Sequence, residues 1–243
     1  MAFGALVGFG QWREPVRLES KTLFEFSTRE FRALAARHLL ASVPEEAHNH
    51  ALPAPRSDDD LNMDLGPTFD DGLPQREAAV LVPVVMRERE LTVLLTQRTD
   101  HLPSHPGQVA FPGGKVDPGD DGPLAAALRE TEEETGVARR FVEPLGFLDA
   151  YQTRTGYRIC PVVALVEPGF TTVPEPGEVA DIFEVPLSFL MNPANHQRHG
   201  REWQGVKRWF YAMPYGERYI WGATAGMIRN FYDRVYAPGR EGE

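Results

Sequence analysis

Between Arg129 and Glu134 the chain places four carboxylates and a guanidinium within six residues, Arg129-Glu130-Thr131-Glu132-Glu133-Glu134, and Gly136 follows closely. At about 100° per residue, Glu130 and Glu134 stand one turn apart on one face of a helix, with Glu133 about 60° from Glu130. Acids packed this closely repel one another. Near a helix C-terminus they also oppose the macrodipole, so stability alone would not choose them there. A hard divalent cation such as Mg²⁺ or Mn²⁺, held through carboxylate oxygens, answers both objections. A solvated acidic helix face is the plainer alternative, and the glutamates alone do not decide between the two.

The preceding loop, Phe111-Pro112-Gly113-Gly114-Lys115, shifts the balance. Adjacent glycines let backbone approach a phosphate or metal closely, and Lys115 adds positive charge. Loop and helix together resemble the Nudix box, G-x5-E-x7-R-E-U-x-E-E-x-G-U with U aliphatic. Gly114, Asp121, Arg129, Glu130, Thr131, Glu133, Glu134, Gly136 and Val137 occupy its positions. There are three departures: one extra residue between Gly114 and Asp121, aspartate for glutamate at Asp121, and Thr131 at an aliphatic position. Upstream, Leu94 to Gly114 is similar to the signature L-L-T-x-R-[SA]-x3-R-x3-G-x3-F-P-G-G of coenzyme A pyrophosphatases, with Thr99 and Pro103 departing from it. Glu178 to Leu187 and Ile220 to Ala225 also look like the C-terminal part of those enzymes. The likeness covers most of residues 78–232 and does not inform the first 77.

This resemblance implies divalent-metal-dependent hydrolysis of the diphosphate bond of coenzyme A or its derivatives, giving 3′,5′-ADP and 4′-phosphopantetheine. ADP-ribose or NADH is the alternative substrate, and a non-catalytic nucleotide-binding regulator is the rival class. Glu130 and Glu134 are then the metal ligands, Glu133 a further ligand or the base, and the Gly114 carbonyl an additional donor. Arg129 orients Glu133, and Glu178 is an additional base or ligand unless it is simply a surface residue. Arg98, Gly113 and Lys115 are the residues expected to face the substrate, and Arg154 and Arg158, in Thr153-Arg154-Thr155-Gly156-Tyr157-Arg158, either meet its phosphates or simply solvate a hairpin.

Around this site the pattern predicts a mixed-sheet α/β (α+β) domain over residues 78–238. Two β-rich runs, Ala79–Val85 and Leu91–Thr96, flank the charged turn Arg87-Glu88-Arg89-Glu90 and read as a hairpin. One helix is expected over 123–135, opened by Asp121 and ended by Gly136. Strands follow near Gly146–Leu148, Cys160–Val166 and Asp181–Val185, then a hairpin about Pro214-Tyr215-Gly216. Thr224 is placed to cap a final helix that buries Met227, Ile228, Phe231 and Val235. Residues 1–77 form an N-terminal extension: Ser27 and Glu30 stand in capping-box spacing before a short helix. From Ala41 to Arg76, five prolines and eight acids against two arginines read as a solvated linker. Truncating residues 1–76 should leave the diphosphate chemistry measurable.

The formal charge of −10 disfavours nucleic acid and anionic membrane as partners, because both are held by Lys and Arg patches. The expected partner is a small-molecule nucleotide, with a homodimer compatible but not required. Cys160 is the single cysteine, which excludes an internal disulfide and fits a reducing compartment. The opening Met1 to Gly10 is short and lacks a basic leading region, so no signal peptide is read there and a cytoplasmic location is expected.

Overall fold

The computed structural model describes residues 26–65, 75–203 and 205–238. In chain order the elements begin with α1 (Thr28–His38), β1 (Arg56–Ser57), β2 (Arg76–Val85), β3 (Thr92–Arg98), β4 (Val109–Ala110), β5 (Gly113–Lys115) and α2 (Gly122–Thr135). They continue with β6 (Val142–Phe147), β7 (Tyr151–Gln152), β8 (Tyr157–Val166), β9 (Val179–Pro186), α3 (Leu187–Leu190), β10 (Gln197–Trp203), β11 (Val206–Tyr215), β12 (Arg218–Trp221) and α4 (Gly222–Phe231). Among the described residues, nine strands form one mixed sheet and β10, β11 and β12 form a second, antiparallel one.

The apolar run of β2 has no polar face because both of its faces are covered. Every residue from Ala78 to Val85 is buried, and β8 pairs with β2 in parallel from Arg76↔Tyr157 to Val85↔Val166. The period of two divides the side chains between two layers. Ala79 and Leu81 of β2, with Val162 and Ala164 of β8, meet Ala126, Ala127 and Leu128 of α2. Val82 and Val84, with Val163 and Leu165, face the other way, toward Met227, Ile228 and Phe231 of α4 and Phe31 of α1. The expected mixed sheet flanked by helices is therefore present.

The predicted hairpin exists only at its closed end. β2 and β3 pair at Val84↔Val93 and Val85↔Thr92 and then diverge. The open edge of β2 is taken by β5, with Ala79↔Gly114 and Val80↔Gly113, so the two glycines are stitched into the sheet beside α2. β3 pairs instead with β9, along Thr92↔Pro186 to Arg98↔Val179.

The final helix buries Met227, Ile228 and Phe231, and Val235 is buried in a π-helical turn that continues it, but its cap differs. Trp221 takes the N-cap position without a side-chain bond, and the Thr224 hydroxyl donates to the Val109 carbonyl at 3.0 Å. That bond ties α4 to β4.

The N-terminal stretch departs most from its reading. The cap is as expected: Ser27 Oγ accepts from the Glu30 amide at 3.2 Å. Phe31 and Ala35 of α1 are buried, and Phe31 meets Phe231 edge-on at 6.1 Å. Residues 41–65, read as solvated linker, pack onto the domain instead. β1 pairs in parallel with β7. Asp58 accepts from the Tyr151 hydroxyl at 3.0 Å and the Arg154 amide at 2.9 Å. Asn62 exchanges two bonds with the backbone of Trp209, at 2.9 and 2.8 Å, as a further strand residue would. These partners lie more than 90 residues away, so local composition gave no sign of them. Deleting the stretch would strip hydrogen-bond partners from Tyr151 of β7, from Arg154 and from Trp209 of β11. Pro67, Asp70, Asp71 and Pro74 of the expected linker lie outside the described residues, as does the apolar opening. No helix among the described residues is long and apolar enough to cross a membrane.

Candidate active site

α2 is delimited as its sequence implies at one end and not at the other. Gly136 ends the helix in the left-handed conformation, φ +73°, with its amide bonded to the Glu132 carbonyl. Asp121 occupies the N-cap position but makes no side-chain cap bond. Its neighbour Asp120 has the acid's task. Asp120 receives Nε and Nη2 of Arg129 at 3.0 and 2.9 Å, a bidentate fork. Those bonds pull the Asp120 carboxyl down to about 2. Asp120 follows Gly114 at the family's five-residue spacing, so the extra residue lies between Asp120 and Arg129, not before the acid.

Arg129 is the hub of the acidic face. Besides Asp120 it reaches Glu130 at 3.0 Å and Glu133 at 3.1 Å through Nη1, and the Lys115 carbonyl at 3.3 Å through Nη2. It orients Glu133, as expected, and braces the glycine strand against α2 as well. Its guanidinium is held more firmly protonated than usual by these acids, Asp120 first. Glu133 keeps a side chain 59% exposed, whereas Glu130 is more deeply set. The Lys115 side chain is exposed.

Two carboxylates are kept unfavourably dry. Glu134 is 5% exposed and accepts from the Gly113 amide at 3.1 Å. Burial, reinforced by the negative field of Glu130 and Glu178, lifts its pKa to about 7 against the relief from that amide and from Arg98. Glu130 is pushed the same way, chiefly by desolvation, with Arg129 opposing. A Cβ on Gly114 would lie 2.5 Å from the Glu130 carboxyl, so only glycine lets the strand and this acid approach so closely.

The structure brings Glu130, Glu133, Glu134, Arg129, Gly113, Gly114 and Arg98 to one side of the sheet. It adds Glu178, exposed at the head of β9, where its carbonyl receives the Thr99 amide at 2.9 Å. The half-buried Arg98 has an Nε without a hydrogen-bond partner among the described residues. The two later arginines separate. Arg158 is 3% exposed, and its guanidinium binds the carbonyls of Glu46 and Leu52 at 2.7 and 3.1 Å and the side chains of Gln152 and Gln75. It fastens the N-terminal stretch and is not available to a phosphate, which corrects its assignment to the substrate. Arg154 presents its amide to Asp58, and its Nε is buried without a partner. Cys160 is buried, its thiol pushed up to about 12 by burial, so it offers no nucleophile.

The donor set suits a hard divalent cation: oxygen ligands, partly desolvated, whose mutual repulsion a cation would relieve. Among the described residues, no three acids, imidazoles or thiols already form a ligating cage. Glu130 and Glu134 are the more deeply set of these acids, whereas Glu133 and Glu178 are exposed.

A glycine strand, an acidic helix and a partnerless arginine on one side of a mixed sheet define a hydrolase of nucleoside diphosphate derivatives. The chain belongs to the Nudix hydrolase family: residues 75–209 match the family model described as NUDIX domain. It is 40% identical over 160 residues to the "Uncharacterized Nudix hydrolase NudL" of Yersinia pestis (strain Pestoides F), covering 66% of this chain and 80% of that protein. The NudL of Yersinia pseudotuberculosis serotype O:1b (strain IP 31758) matches to the same extent. Among solved structures, the NUDIX domain of Shewanella oneidensis NrtR complexed with ADP ribose superposes with a TM-score of 0.44 at 20% identity, over 69% of this chain and 94% of that one. A C. elegans Ap4A hydrolase binary complex gives 0.41 at 23% identity, over 46% and 81%.

Proposed function

We propose that this enzyme hydrolyses the diphosphate bond of coenzyme A or an acyl derivative with Mg²⁺ or Mn²⁺, releasing 3′,5′-ADP and 4′-phosphopantetheine. The observation that carries the reading is that the segment resembling the coenzyme A pyrophosphatase signature acts on the buried acid of α2 from both its ends. Arg98 places its charge near Glu134, and Gly113 donates its amide to the same carboxylate.

Glu130 and Glu134 would hold the cation, with Glu178 as a third acid and the Gly114 carbonyl beside them. When bound, the cation supplies charge neutralisation on the phosphate oxygens and lowers the pKa of a water. Arg98, whose charge lies near Glu134, would donate to a diphosphate oxygen, and the Lys115 ammonium would add positive charge beside it. Arg154 serves the far end of an anionic substrate. Glu133, exposed and steered by Arg129, is positioned to take a proton from the attacking water, a task that Glu178 shares as the second choice. Residues 78–238 are the catalytic domain, and residues 1–77 an extension whose described residues 26–65 pack on it.

A panel of coenzyme A, acetyl-coenzyme A, dephospho-coenzyme A, ADP-ribose and NADH under matched metal, with products identified by mass spectrometry, tests the assignment. The expected order places coenzyme A or its acyl derivative first in kcat/KM and dephospho-coenzyme A lower, through loss of a charge-assisted contact. Equal or faster hydrolysis of ADP-ribose would remove coenzyme A from first place.

A further inference from the structure

At the end of the sheet near the glycine strand, β3, β4 and β12 enclose a cleft of about 290 Å³, with Gln97, Pro106, Val109, Arg218, Tyr219 and Trp221 among its walls. The β3–β9 register shifts between Gln97 and Arg98, so the regular alternation of β3 breaks where the cleft meets Arg98. β12 presents apolar side chains to both of its sides. Ile220 is fully buried in the core, while Tyr219 and Trp221, two residues apart, turn to the other side and line the cleft. Tyr219 is 41% exposed. The two rings lie 6.3 Å apart at 31°, and Phe210 of β11 stands 5.3 Å behind Trp221. Rings kept facing water add little to the core, so the shelf calls for a ligand.

The wall is held in place before any ligand arrives. Arg218 donates to Gln97 of β3, pairs with Asp181 of β9 and lies 4.5 Å over the Phe183 ring. The Thr224–Val109 bond fixes the head of α4 to the cleft floor, and the Tyr219 hydroxyl is 2.7 Å from Nδ1 of His199. Such preorganisation reduces the ordering that binding requires. With Asp181 on Arg218 and Glu217 at the rim, the cleft carries no surplus positive charge, so it suits an uncharged ring with polar edges and not a phosphate. Its volume lies at the lower limit of ligand pockets, about 300 Å³, which leaves room for one ring system.

The chain runs directly from this cleft to the acidic site. Gln97 lines the cleft, and the next residue is Arg98. Val109 forms the floor, and Gly114, against Glu130, is five residues further on, at most about 17 Å of extended chain. We propose that the cleft binds the nucleobase of the nucleotide substrate, stacked on Trp221 and Tyr219, while the diphosphate lies by Glu130 and Glu134. The inference rests on the proposed diphosphate chemistry only for what sits at the other end of the molecule. Stacking accepts any base because each has a π face, so the cleft selects for a base over none.

Calorimetric titration of metal-free full-length protein in EDTA with adenosine 5′-monophosphate, and with ribose 5-phosphate as the baseless control, reads the cleft without catalysis. The nucleotide should bind saturably and at least about ten-fold more tightly than the sugar phosphate. Trp221→Ala should weaken it about ten-fold, and Trp221→Phe should restore most of the loss. On the substrate the enzyme turns over, Trp221→Ala should raise KM about ten-fold with kcat within about two-fold, a split that a merely structural ring would not produce. If Trp221→Ala fails to fold, Tyr219→Ala at the exposed ring carries the same measurements. Equal affinity for the two ligands, or nucleotide binding unchanged in folded aromatic variants, overturns the proposal. Base-dependent binding without hydrolysis of any diphosphate would sink the proposed activity and leave the cleft standing.

Discussion

Residues 45–64 carry six acids, and the last turns of α2 carry four. In the first region the acids are matched to donors: Glu45 accepts from Asn49, Asp60 from the amide and hydroxyl of Ser57, and Asp58 from Tyr151 and Arg154. In the second, Arg129 divides itself among Asp120, Glu130 and Glu133, and Glu134 is dried out with an amide and the field of an arginine for relief. Burial alone does not separate the two regions, since it raises the Asp58 carboxyl as well. What separates them is the surroundings. Asp58 faces fixed donors, whereas Glu134 faces other carboxylates, an electrostatic debt that a cation would relieve.

The sharpest way to break this contrast is Glu134→Gln. Turnover should fall by at least about 100-fold, because a ligand charge is lost where electrostatics dominate. Stability should move the other way. A carboxyl raised from its ordinary 4.5 to about 7 in the fold contributes stability that is present below pH 4.5 and lost as pH rises through 7. Above pH 7 the metal-free wild type therefore carries a penalty on the order of 3 kcal/mol that the glutamine lacks. Urea midpoints in EDTA should favour the variant at pH 8 and converge at pH 5. A variant less stable than wild type at pH 8 would show that Glu134 belongs with the matched acids.

Asp58→Ala should do the reverse. It strands the buried Tyr151 hydroxyl and the Arg154 amide, so denaturation should show a loss of about 2–3 kcal/mol, while kcat of the folded enzyme stays within about three-fold. Arg158→Ala should likewise destabilise by about 2 kcal/mol and leave KM unchanged. A raised KM with intact stability would return Arg158 to the substrate.

The smallest effects divide two neighbouring aspartates. Asp120→Asn weakens the fork on Arg129 and should lower kcat by about ten-fold or less. Asp121→Ala, at a cap position without a cap bond, should change stability by no more than about 0.5 kcal/mol and kcat by less than two-fold. Steady-state kinetics on both variants settles which aspartate belongs to the acidic site.

How far each part was legible follows the range of the forces involved. The spacing of Glu130 and Glu134, the stop at Gly136 and the close approach of Gly114 are consequences of helix geometry and the missing Cβ, and all three are present. The box acid is Asp120 and not Asp121: its five-residue spacing from Gly114 stands in the sequence, and the Arg129 fork marks the same residue. The cleft carried a faint signal: Tyr219 and Trp221 alternate around Ile220, which marks an apolar side beyond the core side, but nothing local ties Arg218 to Gln97 and Asp181.

By itself the sequence determined the family, the mixed sheet with its acidic helix, and the acids proposed to hold a cation. Those depend on local periodicity, on turn chemistry and on residue types at short spacing. Only the tertiary structure decided which charges are matched: Arg158 given to the N-terminal stretch, Asp58 to Tyr151, Glu134 left among carboxylates. Such pairing joins residues about 20 to more than 100 positions apart in one dry volume, where a missing partner is costly and a present one silences a charge. That is why an acidic stretch read as linker became part of the domain, while an acidic helix remained a site.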